Sequence, residues 1–308
     1  MNVVTGGLGF IGNELVRQLL RGGEEVAIID NENRCAPDID DIGGAHIERV
    51  DICDNERVTR LLAELKPRKV FHLAAIHFIP ECNADPERTL RINVEGTQSM
   101  LRASAKAGVE RFVFASSGAV YADLDNYLSE RSTVKPVDIY GLSKLFGEHL
   151  CEWFADNTDM MTVCCRLFNN YGPRETNAHI IPEIFTQLRK GDVLRLGNIK
   201  PVRDYIHTTD CAKAFIKISN HESAKLEKVN VATGTGYSVE DMIEKIKKIT
   251  GRDISVERDD TRYRKIDKMA QVANIEYLER LTGWKPEMDI DRGLESLLHY
   301  EHLMPYAY

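Results

Sequence analysis

The run Thr5-Gly6-Gly7-Leu8-Gly9-Phe10-Ile11-Gly12 follows a short β-rich stretch, Asn2 to Thr5, and leads into a helical pattern reaching about Leu20. Glycines spaced three apart between a strand and a helix allow a tight turn and let backbone N–H groups approach phosphate oxygens. The helix N-terminus adds roughly half a positive charge. This loop (Gly6, Gly9, Phe10, Ile11 and Gly12) is a candidate pyrophosphate cradle. The next β-rich run, Glu25 to Asp30, ends in a carboxylate about 20 residues beyond the loop, where it can accept hydrogen bonds from an adenosine ribose, with Asn31 beside it. A carboxylate there repels a 2′-phosphate, so NAD is expected rather than NADP. The competing reading of Asp30 is a turn residue after a strand, and Arg34 nearby bears on the choice of cofactor. Asp51 and Ile52 follow a third β-rich run and can meet the adenine; their competing reading is the helix N-cap region before Asn55.

Outward from this loop, β-rich runs alternate with helical patterns through MTVCCRLF, which ends at Phe168. They include a helix at 55–65, KVFHLAA, a long helix through LRINVEGTQSMLRASAKAG, RFVFASS and a helix bearing Tyr140. That alternation predicts an α/β fold with a doubly wound parallel sheet, a Rossmann arrangement, whose ligand sits beyond the carboxyl ends of the strands. After Tyr171 the rhythm breaks into loops, short helices and small strands. The expected division is a cofactor domain at 1–171 and a smaller α/β substrate lobe at 172–308, with segments around VRDYIH and VNVATG packing back on the first.

The 40 basic and 48 acidic residues give a formal charge of −8 without a basic stripe, which argues against nucleic acid as a partner. Seven cysteines form no Cys-x-x-Cys pair and lack zinc-site spacing, so reduced thiols and no metal are expected. The first strand begins almost at Met1, and no apolar run approaches about 18 residues. The expectation is a cytoplasmic protein without membrane association.

Ser116 and Ser117 end the RFVFASS run at the same sheet edge as the glycine loop. Tyr140 and Lys144 lie one helical turn apart on one face, so an ammonium is available to favour the phenolate of a tyrosine that ordinarily titrates near pH 10. On the order of one Tyr-x-x-x-Lys match is expected by chance among 11 tyrosines, so order and context carry the argument.

That order, with TGGLGFIG, Asp30, Asp51-Ile52, HLAA (72–75), Asn93 in INVEGT, SSGAVY, YGLSK, FNNYGPR (168–174) and VRDYIH (202–207), resembles the extended short-chain dehydrogenases/reductases, specifically their nucleotide-sugar epimerase and dehydratase group. The resemblance spans nearly the whole chain. It implies that Leu73, Ala74, Ala75, Asn93 and Ser116 line or support the NAD site. Ser117 would relay a sugar hydroxyl proton and Tyr140 would be the general base. Lys144 would lower the tyrosine pKa and hold the nicotinamide ribose. Asn169, Arg203 and Arg264 match positions that meet a nucleotide diphosphate, each arginine having a solvated surface side chain as its competing reading. His77 and His179 stand where sugar contacts are expected, or are structural histidines.

In dehydratases of the group an Asp-Glu pair precedes Val-Tyr in the serine strand; here Gly118 and Ala119 stand there and can transfer no proton. The glutamate of the UDP-glucuronate decarboxylases is also absent. The resemblance therefore implies an NAD-dependent 4-epimerase of a nucleotide-diphosphate sugar, UDP favoured, with a 4-keto-sugar reductase as the alternative. A third possibility is a regulatory or scaffold protein that binds the cofactor without catalysis. Relatives pair through helices matching 89–107 and 140–156, which implies a homodimer.

Overall fold

The computed structural model describes residues 1–33, 35, 42–123, 127–175, 177–222, 224–262 and 269–304. In chain order, the first strands are β1 (Asn2–Thr5), β2 (Val26–Asp30), β3 (His46–Arg49), β4 (Lys69–His72), β5 (Arg111–Ser117), β6 (Tyr127–Leu128) and β7 (Met161–Leu167). They are followed by β8 (Asn169–Tyr171), β9 (Val193–Leu196), β10 (Val202–His207), β11 (Leu226–Val231), β12 (Gly236–Ser238), β13 (Ser255–Arg258) and β14 (Ala270–Ala273). Seven of them form a parallel sheet in the order β11-β7-β5-β4-β1-β2-β3. This is the Rossmann-like α/β fold anticipated from the alternation.

Successive residues of a strand face opposite ways, and both faces of this sheet are covered by helices. Val3, Val70, Phe112 and Phe114 join Val58, Leu62 and Met100 in the core on one side. Val4, Ile28, Phe71 and Val113 meet Leu15, Val16 and Phe215 on the other. The order of strands reverses between β1 and β4, which opens a crevice at their carboxyl ends. There Thr5 Oγ1 meets His72 Nδ1 at 2.7 Å, and His72 Nε2 meets Thr97 Oγ1 at 3.0 Å. Burial holds the His72 pKa down at about 3, so the ring is a neutral strut.

Beyond Tyr171 the chain builds most of a second sheet, β12-β10-β14-β6, with β8 on β10, and a core of Ile184, Phe185, Met242, Ile246 and Leu298. Position 171 is no clean cut in space, since β11 completes the edge of the first sheet while β6 pairs with β14 in the second. The helix Thr208–Asn220 also packs Phe215 and Ile218 into the first core. Asp204 organises the second lobe, accepting hydrogen bonds from the backbone N–H groups of Thr233 and Gly234 at 2.8 Å each and from the Thr233 hydroxyl at 2.7 Å.

The helix foreseen through LRINVEGTQSMLRASAKAG is not regular. Pro86–Leu90 runs into a π-helical turn at Arg91–Glu95 before the α-helix Gly96–Lys106. The wide turn contains Asn93, whose side chain grips the peptide of Ile76 from both ends, Ile76 N–H to Oδ1 and Nδ2–H to Ile76 O, at 2.8 Å each. Apolar periodicity does not distinguish a π turn from an α turn, which is why the pattern read as one helix.

A buried ion pair joins the helix Ile139–Asn157 to the sheet. Arg166 on β7 donates to Glu148 from Nε at 2.9 Å and from Nη2 at 2.7 Å, with side chains 3% and 0% exposed. Ser116 donates to the same carboxylate at 2.6 Å, and Arg166 Nη1 reaches the Tyr121 hydroxyl, which donates to Asn230 on β11 at 2.6 Å. Removing one partner leaves an uncompensated buried charge. Glu148→Ala is expected to destabilise the protein by about 3 to 5 kcal/mol, read as a lowered midpoint in urea with an unchanged slope.

Candidate functional site

A cleft of about 620 Å³ lies over the carboxyl ends of the parallel strands, between the two lobes. Its floor begins at the glycine loop. Gly6 has φ +68°, and a Cβ there would lie 2.8 Å from Ala74 N; one on Gly12 would lie 2.1 Å from Gly6 O. The helix Phe10–Arg21 starts at Gly9 with no side chain capping its N-terminus. The backbone is thus bare where an anion would sit, and Gly6, Gly9, Phe10, Ile11 and Gly12 all line the cleft.

Asp30 also lines the cleft, its Oδ2 accepting from Leu8 N–H at 3.1 Å and its Oδ1 from Glu32 N–H at 2.9 Å. Burial raises its pKa, and those backbone donors pull the other way. One edge of the carboxylate therefore braces the glycine loop. Asn31, Asp51 and Ile52 continue the wall, Asp51 Oδ1 accepting from Cys53 N–H at 2.8 Å. Leu73, Ala74 and Ala75 face the loop from the end of β4, with Ala74 N–H donating to Thr5 Oγ1 at 3.2 Å. Asn93 is 1% exposed and is not among the lining residues; it fixes the segment after Ala75 from behind. Ser116 is at the wall, but its hydroxyl is committed to Glu148.

Tyr140 and Lys144 rise from the first turns of the helix Ile139–Asn157, whose N-cap Asp138 accepts from Gly141 N–H at 2.7 Å. Ser117 lies beside the Tyr140 side chain, where its hydroxyl favours the phenolate. It also accepts from Ala119 N–H at 3.1 Å, which fixes its Oγ at the strand end. Lys144, 4% exposed, places Nζ 5.8 Å from the Tyr140 ring centroid and 5.0 Å from that of Phe114, and donates to Ala115 O at 2.7 Å. Burial depresses its pKa to about 8. Burial also pushes the Tyr140 phenol up to about 12, with the nearby Ser117 hydroxyl opposing it. Burial thus works against the charged form of each, the phenolate and the ammonium alike.

Gly118 and Ala119 carry no acid or base, and the space is taken: a Cβ on Gly118 would stand 3.3 Å from Phe168 and from Gln271 Nε2. Gln271, on β14, donates to Gly118 O at 2.6 Å, so the second lobe grips the turn after Ser117.

The opposite wall carries Asn169, Arg203, His77 and His179. Arg203 Nη1 donates to Val202 O at 2.9 Å. Arg264 lies outside the described residues, as does Arg34.

A family model for the NAD dependent epimerase/dehydratase family matches residues 2–232. The chain belongs to that family. A UDP-glucose 4-epimerase of Rhizobium meliloti is 29% identical to it over 96% of this chain and 94% of its own length. Among solved structures, UDP-glucose 4-epimerase from Thermotoga maritima with UDP-glucose has a TM-score of 0.89 at 28% identity, covering 98% of this chain and 99% of that one. The Thermus thermophilus UDP-glucose 4-epimerase in complex with NAD has a TM-score of 0.87 at 28% identity, covering 98% and 99%.

Sequence reasoning missed several cleft residues. Arg262 lines the wall and pairs with Glu183 at 2.8 Å, two positions before the arginine that was singled out. Gln271 gave no signal because its partner is a carbonyl 153 residues away. Glu175 and Asn177 escaped too, although each binds a histidine that was picked. Glu175 Oε2 meets His179 Nδ1 at 3.2 Å, and Asn177 Nδ2 meets His77 Nε2 at 2.9 Å. Burial pushes the Glu175 carboxyl up, but its contact with His179, the Asn177 backbone N–H and the nearby His77 together leave its pKa below the ordinary value.

Proposed function

We propose that this family member interconverts C4 epimers of a nucleotide-diphosphate sugar, UDP-linked by preference, with NAD as its resident cofactor. The observation that carries the reading is the meeting of Ser117, Tyr140 and Lys144 at the strand ends beside the glycine cradle, with no proton-transferring side chain at 118 or 119. The bare backbone around Gly6 and Gly12 fits a pyrophosphate, and Asp30 fits a ribose without a 2′-phosphate. Residues 1–171 serve mainly as the cofactor domain and 172–308 mainly as the nucleotide-sugar lobe, with β11 and the helix Thr208–Asn220 packing back on the first.

Bound NAD supplies a reversible hydride acceptor for the sugar C4 and, when oxidised, a positive charge. Tyr140 takes the 4-hydroxyl proton, directly or through Ser117, and returns it after the keto sugar has turned its other face. Lys144 favours the phenolate during that transfer and is the candidate partner of the nicotinamide ribose. Asn169 and Arg203 anchor the diphosphate, a bidentate guanidinium suiting phosphate oxygens. A 4-keto-sugar reductase would use the same three residues once and consume a reduced cofactor, usually NADPH in this group, which Asp30 opposes.

We infer the cytoplasm as its location. Among the described residues no helix is long and apolar enough to cross a membrane. Five of the seven cysteines are buried and all are unpaired, which suits a reducing compartment. A homodimer is supported by the exposed side chains of Phe146 and Trp153, 41% and 57% accessible and two turns apart on the helix Ile139–Asn157.

Tyr140→Phe is expected to lower turnover of a UDP-sugar by roughly 10²- to 10⁴-fold while bound NAD is retained, with products read by NMR and no net cofactor consumption. Lys144→Met removes the charge that favours the phenolate. The acid limb of its kcat/KM profile is therefore expected to move to higher pH by about 1 to 3 units. Sedimentation should show a dimer at micromolar concentration that Trp153→Glu converts to monomer; a monomeric wild type refutes the pairing.

A further inference from the structure

Three side chains at the second-lobe wall of the cleft have the chemistry of a metal site. His77 comes from the segment after β4, and Glu175 and His179 from the loop after β8. Ligand-capable atoms of all three lie within 4.8 Å of one another. His179 Nδ1 and Glu175 Oε2 are 3.2 Å apart. Bonds of about 2.0 to 2.1 Å in a tetrahedral site put neighbouring ligand atoms roughly 3.3 Å apart. Closing the remaining distances therefore takes only small side-chain rotations.

The surroundings favour a site over a surface ion pair. The Glu175 side chain is 5% exposed and that of His179 36%, and the His77 and His179 rings are tilted together with centroids 5.7 Å apart. Asn177, on the same loop, holds the His77 ring at Nε2. With its amide oxygen turned to accept from Nε2–H, Asn177 would leave Nδ1 of His77 as the nitrogen that meets the ion. Two imidazoles with one carboxylate suit zinc-class ions, whereas magnesium and calcium prefer oxygen ligands throughout. The absence of zinc-like cysteine spacing says nothing about this set, because His77 and His179 come from segments distant in the chain.

We propose that His77, Glu175 and His179 bind one divalent transition-metal ion, with a remaining coordination position open to the cleft that also holds Tyr140. Such an ion takes an oxygen donor at its free position, and the cleft is where a sugar or phosphate oxygen arrives. Ion binding does not depend on the epimerase reading, and its test requires no turnover.

The full chain, stripped with a chelator and keeping its bound dinucleotide, is titrated with Co²⁺ and then with competing Zn²⁺. Visible d–d bands saturating at about one equivalent and displaced by Zn²⁺ are expected, and azide should shift them by entering the open position. Glu175→Gln keeps the side-chain shape and, like His77→Ala and His179→Ala, should weaken Co²⁺ binding by roughly 10-fold or more. His46→Ala, which alters an exposed histidine paired with Glu48 elsewhere, should leave it unchanged. Circular dichroism and dinucleotide content establish that each variant is folded. Failure to develop the bands, or bands that persist in all three ligand variants, overturns the site. Bands that azide does not move overturn the open position.

Discussion

The helix Ile139–Asn157 buries two opposite charges one turn apart, and the candidate site depends on how unequally they are compensated. Glu148 receives a two-point ion pair from Arg166 and a third hydrogen bond from Ser116. Lys144 receives one carbonyl, that of Ala115, and the faces of two rings. The effective cost of burying an ion is several kcal/mol, and a full set of partners offsets it while a partial set does not. The depressed pKa of Lys144 records that shortfall. Because Glu148 fastens the helix to β5 and β7, Lys144 cannot relax toward solvent. The helix therefore holds a lysine beside the phenol that the proposed mechanism deprotonates, as preorganised electrostatics requires.

The same fastening sets where Tyr140 and Ser117 meet. Ser116 and Ser117 are neighbours on β5, and alternation along the strand gives them different duties. The Ser116 hydroxyl is taken by Glu148, which pins the strand end, and the Ser117 hydroxyl lies beside Tyr140. Arg166 carries the network to Tyr121 and through it to Asn230 on β11. A strand contributed from beyond residue 171 thereby helps to hold the catalytic edge. The two lobes share this polar layer, which is why a boundary drawn by sequence rhythm does not separate them in space.

What the sequence revealed was local. The glycine loop, Asp30 and the Tyr140–Lys144 pair are legible because each depends on neighbours within one turn, or on a strand followed by a helix. Asn93 stands in a motif, yet its work is to clamp Ile76 from a π turn that periodicity cannot resolve. Gln271 and Arg262 reach the cleft through the fold of the second lobe, whose short strands carry little pattern. Glu175 lies four residues before His179, but His77 is brought to them only when the segment after β4 meets the loop after β8. Such a cluster has no signature along the chain.

The two walls of the cleft are built by different means, and the proposed chemistry needs that difference. On the cofactor side the contacts are backbone: Gly12 against Gly6, Gly6 against Ala74, and Leu8 N–H on Asp30, where even a methyl group has no room. A ligand held there by peptide groups is held rigidly. On the sugar side the wall consists of longer side chains, Arg203, Arg262, His77 and His179. Between them Gly118 and Ala119 leave the approach to Ser117 free of an acid that would divert a keto sugar into elimination. A sugar that must present both faces to one reactive carbon needs a cofactor held rigidly and its own anchor away from the ring. Asp204 fixes the backbone beside Arg203 while leaving the guanidinium in the cleft, so the diphosphate can be tethered without fixing the ring it carries.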